Sequence, residues 1–336
     1  MFPAKSDVAR ALQSRLPELE EARAAYKRIF LNGIVTILAA AAGTLIVFLS
    51  GIPEAILVTA AVAVIAIVVM VVRMNRRYRE YRDRFKQQIV RGVARELVAG
   101  CRLPDETPDY EYAVHYDQYS RISDNHIDGC LLFDERIDRI EGEDLIKGKL
   151  GLTDFEFSEL HLRRVERNTG SNGHTTTRHV TVFEGVLFVA DFHKSFRGVT
   201  LLLANGWLGA GGFFNKLGNK MSGLFSRHKM YNIDLENPAF NRYFDTNTSD
   251  EVEARYLLSP NFMERILGFK SWHDQKVEFA FVGSRMYVAI SSKSDYFEPT
   301  VRQSTERQME RVYDELIFFF SLIEHFDLNT RIWSKS

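Results

Sequence analysis

The sequence predicts an α+β chain, in which an N-terminal transmembrane helical hairpin precedes a cytoplasmic domain whose helices cover a curved or barrel-like antiparallel sheet. Three observations predict it. Two runs, Ile29 to Leu49 and Ala55 to Val72, contain no Lys, Arg, Asp or Glu and are joined only by residues 50–54. A helix crosses a bilayer with about 20 predominantly apolar residues, and so short a turn makes the pair antiparallel. From Asp144 onward the apolar period shifts towards two, and the strand-like runs are separated by turns rather than crossover helices. A long amphipathic run then closes the chain, from Thr300 to Phe326.

Residues 5–28 read as an amphipathic helix, with Val8, Leu12, Leu16 and Leu19 at helical spacing. Pro17 interrupts it and predicts a kink or two short helices. Lys5, Arg10, Arg15, Arg23, Lys27 and Arg28 precede the first span; Arg73, Arg76, Arg77, Arg79, Arg82, Arg84 and Lys86 follow the second; the turn offers only Glu54. Flanking cations stay on the cytoplasmic side, so both termini are expected there. A cleaved signal peptide is not expected, because the apolar segment is too long for one and a second follows at once. Gly33, the stretch Ala39 to Gly43, Ala60, Ala61 and Ala63 allow close helix approach. The absence of ionisable residues in both runs argues against an ion pathway, hence against a channel or transporter.

The chain has 336 residues and a net charge of −1. Basic residues crowd the membrane flanks and acids lie further on, an asymmetry that argues against a nucleic-acid partner and favours the lipid bilayer, with anionic lipid at its surface. Cys101 and Cys130 lack metal-like spacing and suit a reducing compartment. The expected partition is a cytoplasmic helix over 1–28, the hairpin over 29–72, a connecting helix over 73–103 and the α+β domain over 104–336.

From Arg73 to Cys101 a helical stripe of Tyr78, Tyr81, Phe85, Ile89, Val93 and Leu97 continues past Gly92 and is expected to stop at Pro104 and Pro108. Residues 109–137 read as mixed and mostly helical. Strands are expected over Leu145 to Leu150, Thr153 to Arg167, His179 to Phe192, Gly198 to Leu203, Met230 to Leu235, Lys276 to Val282 and Arg285 to Ile290, the last two joined by the two-residue turn Gly283-Ser284. Asp250 to Leu258 and Ser259 to Gly268 read as helices, with Ser259-Pro260 as cap and first turn.

Several blocks carry a resemblance. They are the run Phe183 to Phe192 with Lys194 and Phe196; Asp234 to Phe240 leading to Tyr243-Phe244; Glu253 to Pro260 with Met263-Glu264-Arg265; and Phe297-Glu298-Pro299 with the tail Leu328 to Trp333. Together they resemble a bacterial membrane-protein family known as domain of unknown function three-one-three-seven, over the hairpin and nearly all of the cytoplasmic part. The resemblance implies a two-span protein of the bacterial inner membrane and, through gene neighbourhood, a LemA-type membrane protein as partner. It implies no activity. An Asn-like residue is expected where His193 stands.

Candidate chemistry is sparse. Asp191, His193 and Lys194, with Arg197 close behind, sit at a strand end that could hold an acid–base pair, the centre of an alternative reading as a hydrolase or transferase. No nucleophile stands beside them, and a solvated rim is the plainer account. Glu253 and Arg255 offer a ligand grip or a structural pair that pins the following helix. His161, His174 and His179 lack the further ligand that a metal needs. Gly206, Gly209, Gly211 and Gly212 miss the dinucleotide spacing because Phe214 fills the third position. No cofactor or metal is expected. Phe213, Phe214, Leu217, Met221, Leu224 and Phe225 recur at helical spacing, with Lys216 and Lys220 off the stripe and Trp207 before it. Trp207, Phe213, Lys216, Lys220 and Phe225 therefore form a candidate membrane-interface helix, with an ordinary core-facing helix as the alternative. These readings add up to a membrane-anchored binding or interaction module.

Overall fold

The structure is a computed structural model that describes residues 2–49, 51, 53–103, 109–133, 135–169, 175–192, 195–205, 228–272, 275–326 and 328. It divides into two compact units, one built from 3–96 with 297–314, the other from the remaining described residues.

The first unit is helical. Helix α1 (Lys5–Leu12) and helix α2 (Leu16–Leu49) are parted by a 3-10 turn over Gln13–Arg15. The break expected at Pro17 thus falls before it. Pro17 itself lies in the first turn of α2, where its missing N–H costs no hydrogen bond. Helix α3 (Pro53–Phe85) returns beside α2, continues through a π turn over Lys86–Val90 and ends as α4 (Arg91–Ala99). The stop expected at Pro104 and Pro108 therefore comes at Ala99, and those two prolines lie outside the described residues. Both α2 and α3 contain stretches long and apolar enough to cross a membrane. Within those stretches the Thr36, Thr44 and Thr59 hydroxyls donate to carbonyls one turn back, at 2.8–2.9 Å, which satisfies them without water.

Beyond the apolar stretches, the N-terminal residues pack on α3 and α4. The approach at Gly92 is close: a Cβ on it would lie 2.9 Å from both a Leu12 methyl and the Arg15 guanidinium, and those side-chain ends would have to shift. Glu20 accepts from Arg23 and also from the Thr305 N–H (3.0 Å) and hydroxyl (2.7 Å), so it caps the first turn of α9 (Thr305–His325). The Arg23 guanidinium, ahead of those Thr305 bonds, holds the Glu20 carboxyl down at about 2. Arg82 and the buried Lys86 both reach Glu298, at 2.8 and 2.5 Å.

The second unit is a nine-stranded antiparallel sheet among the described residues, in the order β1-β2-β3-β4-β9-β8-β5-β7-β6. The strands are β1 (Glu111–Asp117), β2 (Arg139–Gly151), β3 (Thr153–Thr169), β4 (Thr175–Asp191), β5 (Val199–Ala204), β6 (Tyr231–Ile233), β7 (Phe244–Thr248), β8 (Val277–Val282) and β9 (Arg285–Ser291). The sheet is open, with β1 and β6 as its ends, so it is not a closed barrel. Residues 109–137, expected to be mostly helical, instead supply β1 and one short helix, α5 (Asp124–Gly129). Among the described residues the chain also forms α6 (Pro238–Tyr243), α7 (Glu251–Leu257) and α8 (Pro260–Trp272).

Period-two alternation gives the sheet two unlike faces. On one, Phe155, Phe157, Phe188, Phe279 and Phe281 are buried with Phe269 of α8 and with Phe319 and Phe320 of α9. Phe157 stacks on Phe319 at 4.6 Å between centroids and lies 5.9 Å from Phe188, its Cα partner across the ladder. On the other, Leu160, Leu187, Val189, Leu201, Ala280 and Ala289 form an aliphatic core under α5.

A candidate binding cleft

At one end of that second face the aliphatic core gives way to charge. A cleft of about 840 Å³ is lined from β1, β2, β3, β4 and the β8–β9 turn. The register sets its chemistry. Lys147 lies opposite both His115 and Glu156, Lys149 opposite Asp154, and Asp191 opposite Arg285. Oppositely charged neighbours across a ladder attract, so both signs alternate over the cleft.

Behind Glu156 and Arg285 sits His126, 9% exposed, on α5. Its Nε2 is 2.5 Å from a Glu156 carboxylate oxygen. Its Nδ1 is 3.3 Å from the Arg285 guanidinium and 3.4 Å from the Tyr287 hydroxyl. The same Arg285 nitrogen lies 3.4 Å from Nε2, so the guanidinium sits against the imidazole ring rather than on one nitrogen alone. Burial pushes the Tyr287 hydroxyl above its ordinary value, which keeps it a neutral donor. Cys130, just past α5, donates to the Ile127 carbonyl at 3.1 Å, and burial pushes its thiol up to about 12.

A second hollow, of about 320 Å³, opens between β2, β3 and the stretch after β9. Glu159 borders it and accepts from the Tyr296 N–H at 2.5 Å. Burial first, then the nearby acids Asp144, Asp295 and Glu143, push its carboxyl up to about 9, against the single lowering bond from Tyr296. Asp144 is buried in a left-handed conformation, φ 59°, and accepts from the Tyr116 hydroxyl at 2.5 Å.

Of the residues singled out in the sequence, Asp191 lines the cleft. His193 and Lys194 lie outside the described residues. Arg197 donates its backbone N–H to Glu253 at 3.1 Å, and Gly198 donates to the same carboxylate at 2.8 Å. Glu253 thus anchors the loop before β5, helped by Asp250, which caps α7 by accepting from the Glu253 N–H. Arg255 has other partners: Glu251 (2.8 Å), Glu236 (2.7 Å) and the Asp234 carbonyl (3.0 Å). Glu253 and Arg255 therefore pin two different segments. His161 contacts the Thr181 hydroxyl at 3.1 Å, His179 lies opposite Val165, and His174 falls outside the described residues. Trp207, Phe213, Lys216, Lys220 and Phe225 also fall outside them, as do Gly206, Gly209, Gly211 and Gly212. His126, Glu156, Arg285 and Tyr287 escaped the sequence reading. They come from segments far apart in the chain, with no spacing to unite them.

Residues 181–328 match the family model described as "Protein of unknown function (DUF3137)". That stretch, less than half of the chain, is similar to this family. The match starts within β4 and leaves the hairpin and β1–β3 outside it, a narrower extent than the resemblance implied. No curated protein matches the chain. Among solved structures it is similar to the mycobacterial trehalose monomycolate transport factor A, TtfA, with 8% identity and a TM-score of 0.30 over 61% of this chain and 88% of that one.

Proposed function

We propose that the protein is a membrane-anchored binding module of the bacterial inner membrane. The hairpin crosses the bilayer twice with both termini in the cytoplasm, and the charged cleft receives a polypeptide partner. The exposure of large apolar side chains supports the anchor: Ile46 is 67% and Leu57 76% exposed, within runs that carry no charge to hold them in water.

The cleft carries the binding half of the reading. Charges of both signs line it from several strands, and a buried histidine fixes two of them, Glu156 and Arg285. Both ring nitrogens of His126 are engaged and the Cys130 thiol is inert, so the cluster orients charge rather than activating a nucleophile. A mixed-charge cleft complements a polypeptide segment better than it does a lone anion or cation.

A photo-crosslinking residue at His115 tests this in the full-length protein in native membranes. A discrete adduct is expected, and it should vanish when Lys147→Glu and Asp154→Lys reverse the charges. An adduct pattern indifferent to that reversal removes the cleft as the binding site. For the anchor, Glu54→Cys should react with an impermeant thiol reagent from outside the cell, and Ser336→Cys only after permeabilisation. The opposite labelling pattern removes the proposed orientation.

A further inference from the structure

We propose that the base of the hairpin is a binding collar for the phosphate groups of anionic phospholipids. The inference rests on the membrane-spanning reading above. Two contacts fix the level of the collar. The rings of Tyr26 on α2 and Tyr78 on α3 lie 5.5 Å apart, and seven residues further along α2 a Cβ on Gly33 would sit 2.6 Å from the Met70 methyl. Between these contacts lie Lys27 and Arg28 on one helix and Arg73, Arg76 and Arg77 on the other. This level borders both charge-free runs, where headgroups meet the hydrocarbon.

The pairing of these cations matters more than their number. Arg76 and Arg77 share Glu80, at 3.2 and 3.0 Å. Lys27, Arg28 and Arg73 have no carboxylate within ion-pair distance among the described residues. Away from the apolar runs, several cations of the same unit pair internally, Arg23 with Glu20, Arg84 with Glu18, and Arg82 and Lys86 with Glu298, while Arg15 and Arg91 bond uncharged oxygens of Gln88 and Gln87. Lys27, Arg28 and Arg73 thus cluster without a carboxylate partner at the level where a leaflet would supply the counter-charge. Phosphate accepts two parallel bonds from a guanidinium, and the low dielectric at the boundary strengthens each of them. Zwitterionic lipid brings its own ammonium and competes poorly for such a site.

The test uses the full-length protein in neutral detergent, with bound lipid counted by native mass spectrometry against phosphatidylglycerol, phosphatidylcholine or glycerol 3-phosphate. Phosphatidylglycerol should be retained preferentially. Each of Lys27→Gln, Arg28→Gln and Arg73→Gln should weaken retention roughly fivefold, and high salt should weaken it further. Arg95→Gln, on the exposed side of α4, should leave it unchanged. The three substitutions combined should abolish the preference; if that triple variant aggregates, the single variants carry the test. Equal retention of the two lipids, or retention untouched by the variants, overturns the collar. Displacement by an equal concentration of glycerol 3-phosphate overturns the lipid assignment in favour of free phosphate. A chain that stays soluble without detergent overturns the anchor itself, a distinct failure.

Discussion

Phe155, Phe157, Phe188, Phe279 and Phe281 are packed under helices on one face of the sheet, whereas several of the same strands present Lys147, Asp154, Glu156, Asp191 and Arg285 on the other. The backbone is common to both, so the difference lies in what each face can contribute. Ring burial removes large apolar areas from water, and close ring geometry adds to it. Charged pairs near a surface are worth about 0–1 kcal/mol. The two buried cores, rings on one face and aliphatic side chains on the other, therefore carry the stability of this unit, and the charged end of the second face is free to serve recognition.

Phe157→Ala probes that division most strongly. The ring touches Phe188, Phe319 and Phe320, so its loss should cost about 3–5 kcal/mol. Chemical denaturation of the full-length protein in detergent, followed by aromatic absorbance, reads the loss. A cost below about 1 kcal/mol would mean that the ring stack is not what holds the sheet.

Glu159 is the exception that sharpens the contrast, an acid on the same side of β3 as Phe157. The carboxyl titrates near 4.5 when unfolded and at about 9 here. Between those values the folded chain binds the extra proton, so the stability present below about 4.5 is lost as pH rises towards about 9. Thermal unfolding of the full-length protein should show this decline. Glu159→Gln, which keeps the shape and removes the titration, should flatten it. A decline of the same slope in the variant would assign the pH dependence to another group.

The two faces were also unequally legible. The charge-free hairpin and the Phe- and Val-rich strands follow from local pattern, because long apolar runs and period-two alternation have few physical readings. Strand β7 is different. Its Thr246, Asn247 and Thr248 are buried polar residues, satisfied in part by bonds such as Thr248 to Thr200 at 3.1 Å, and a polar run of that kind reads as a loop. Edge strand β1 mixes Tyr112, Val114 and Tyr116 with Glu111 and His115, which blurs its alternation. Helix α6 is too short for a period, although Asn237 before Pro238 is a start signal: its side chain accepts from Ala239 and Phe240 at 3.0 and 3.2 Å. Of the cleft, Asp191 stood out locally. The His126 cluster exists only once the strands are paired, because its members share a place in the sheet and no stretch of chain.

The smallest expected effect tests the charged face alone. Lys147 and Asp154 are exposed and sit on neighbouring strands of the cleft. Converting both to neutral polar residues, Lys147→Gln with Asp154→Asn, should change stability by less than about 0.5 kcal/mol. The same pair should abolish the adduct formed from a crosslinker at His115. A destabilisation comparable to that of Phe157→Ala would mean that the charges hold the fold, and the two faces would then not divide the labour. Unchanged crosslinking at unchanged stability would remove the cleft as the binding site, in agreement with an adduct indifferent to charge reversal.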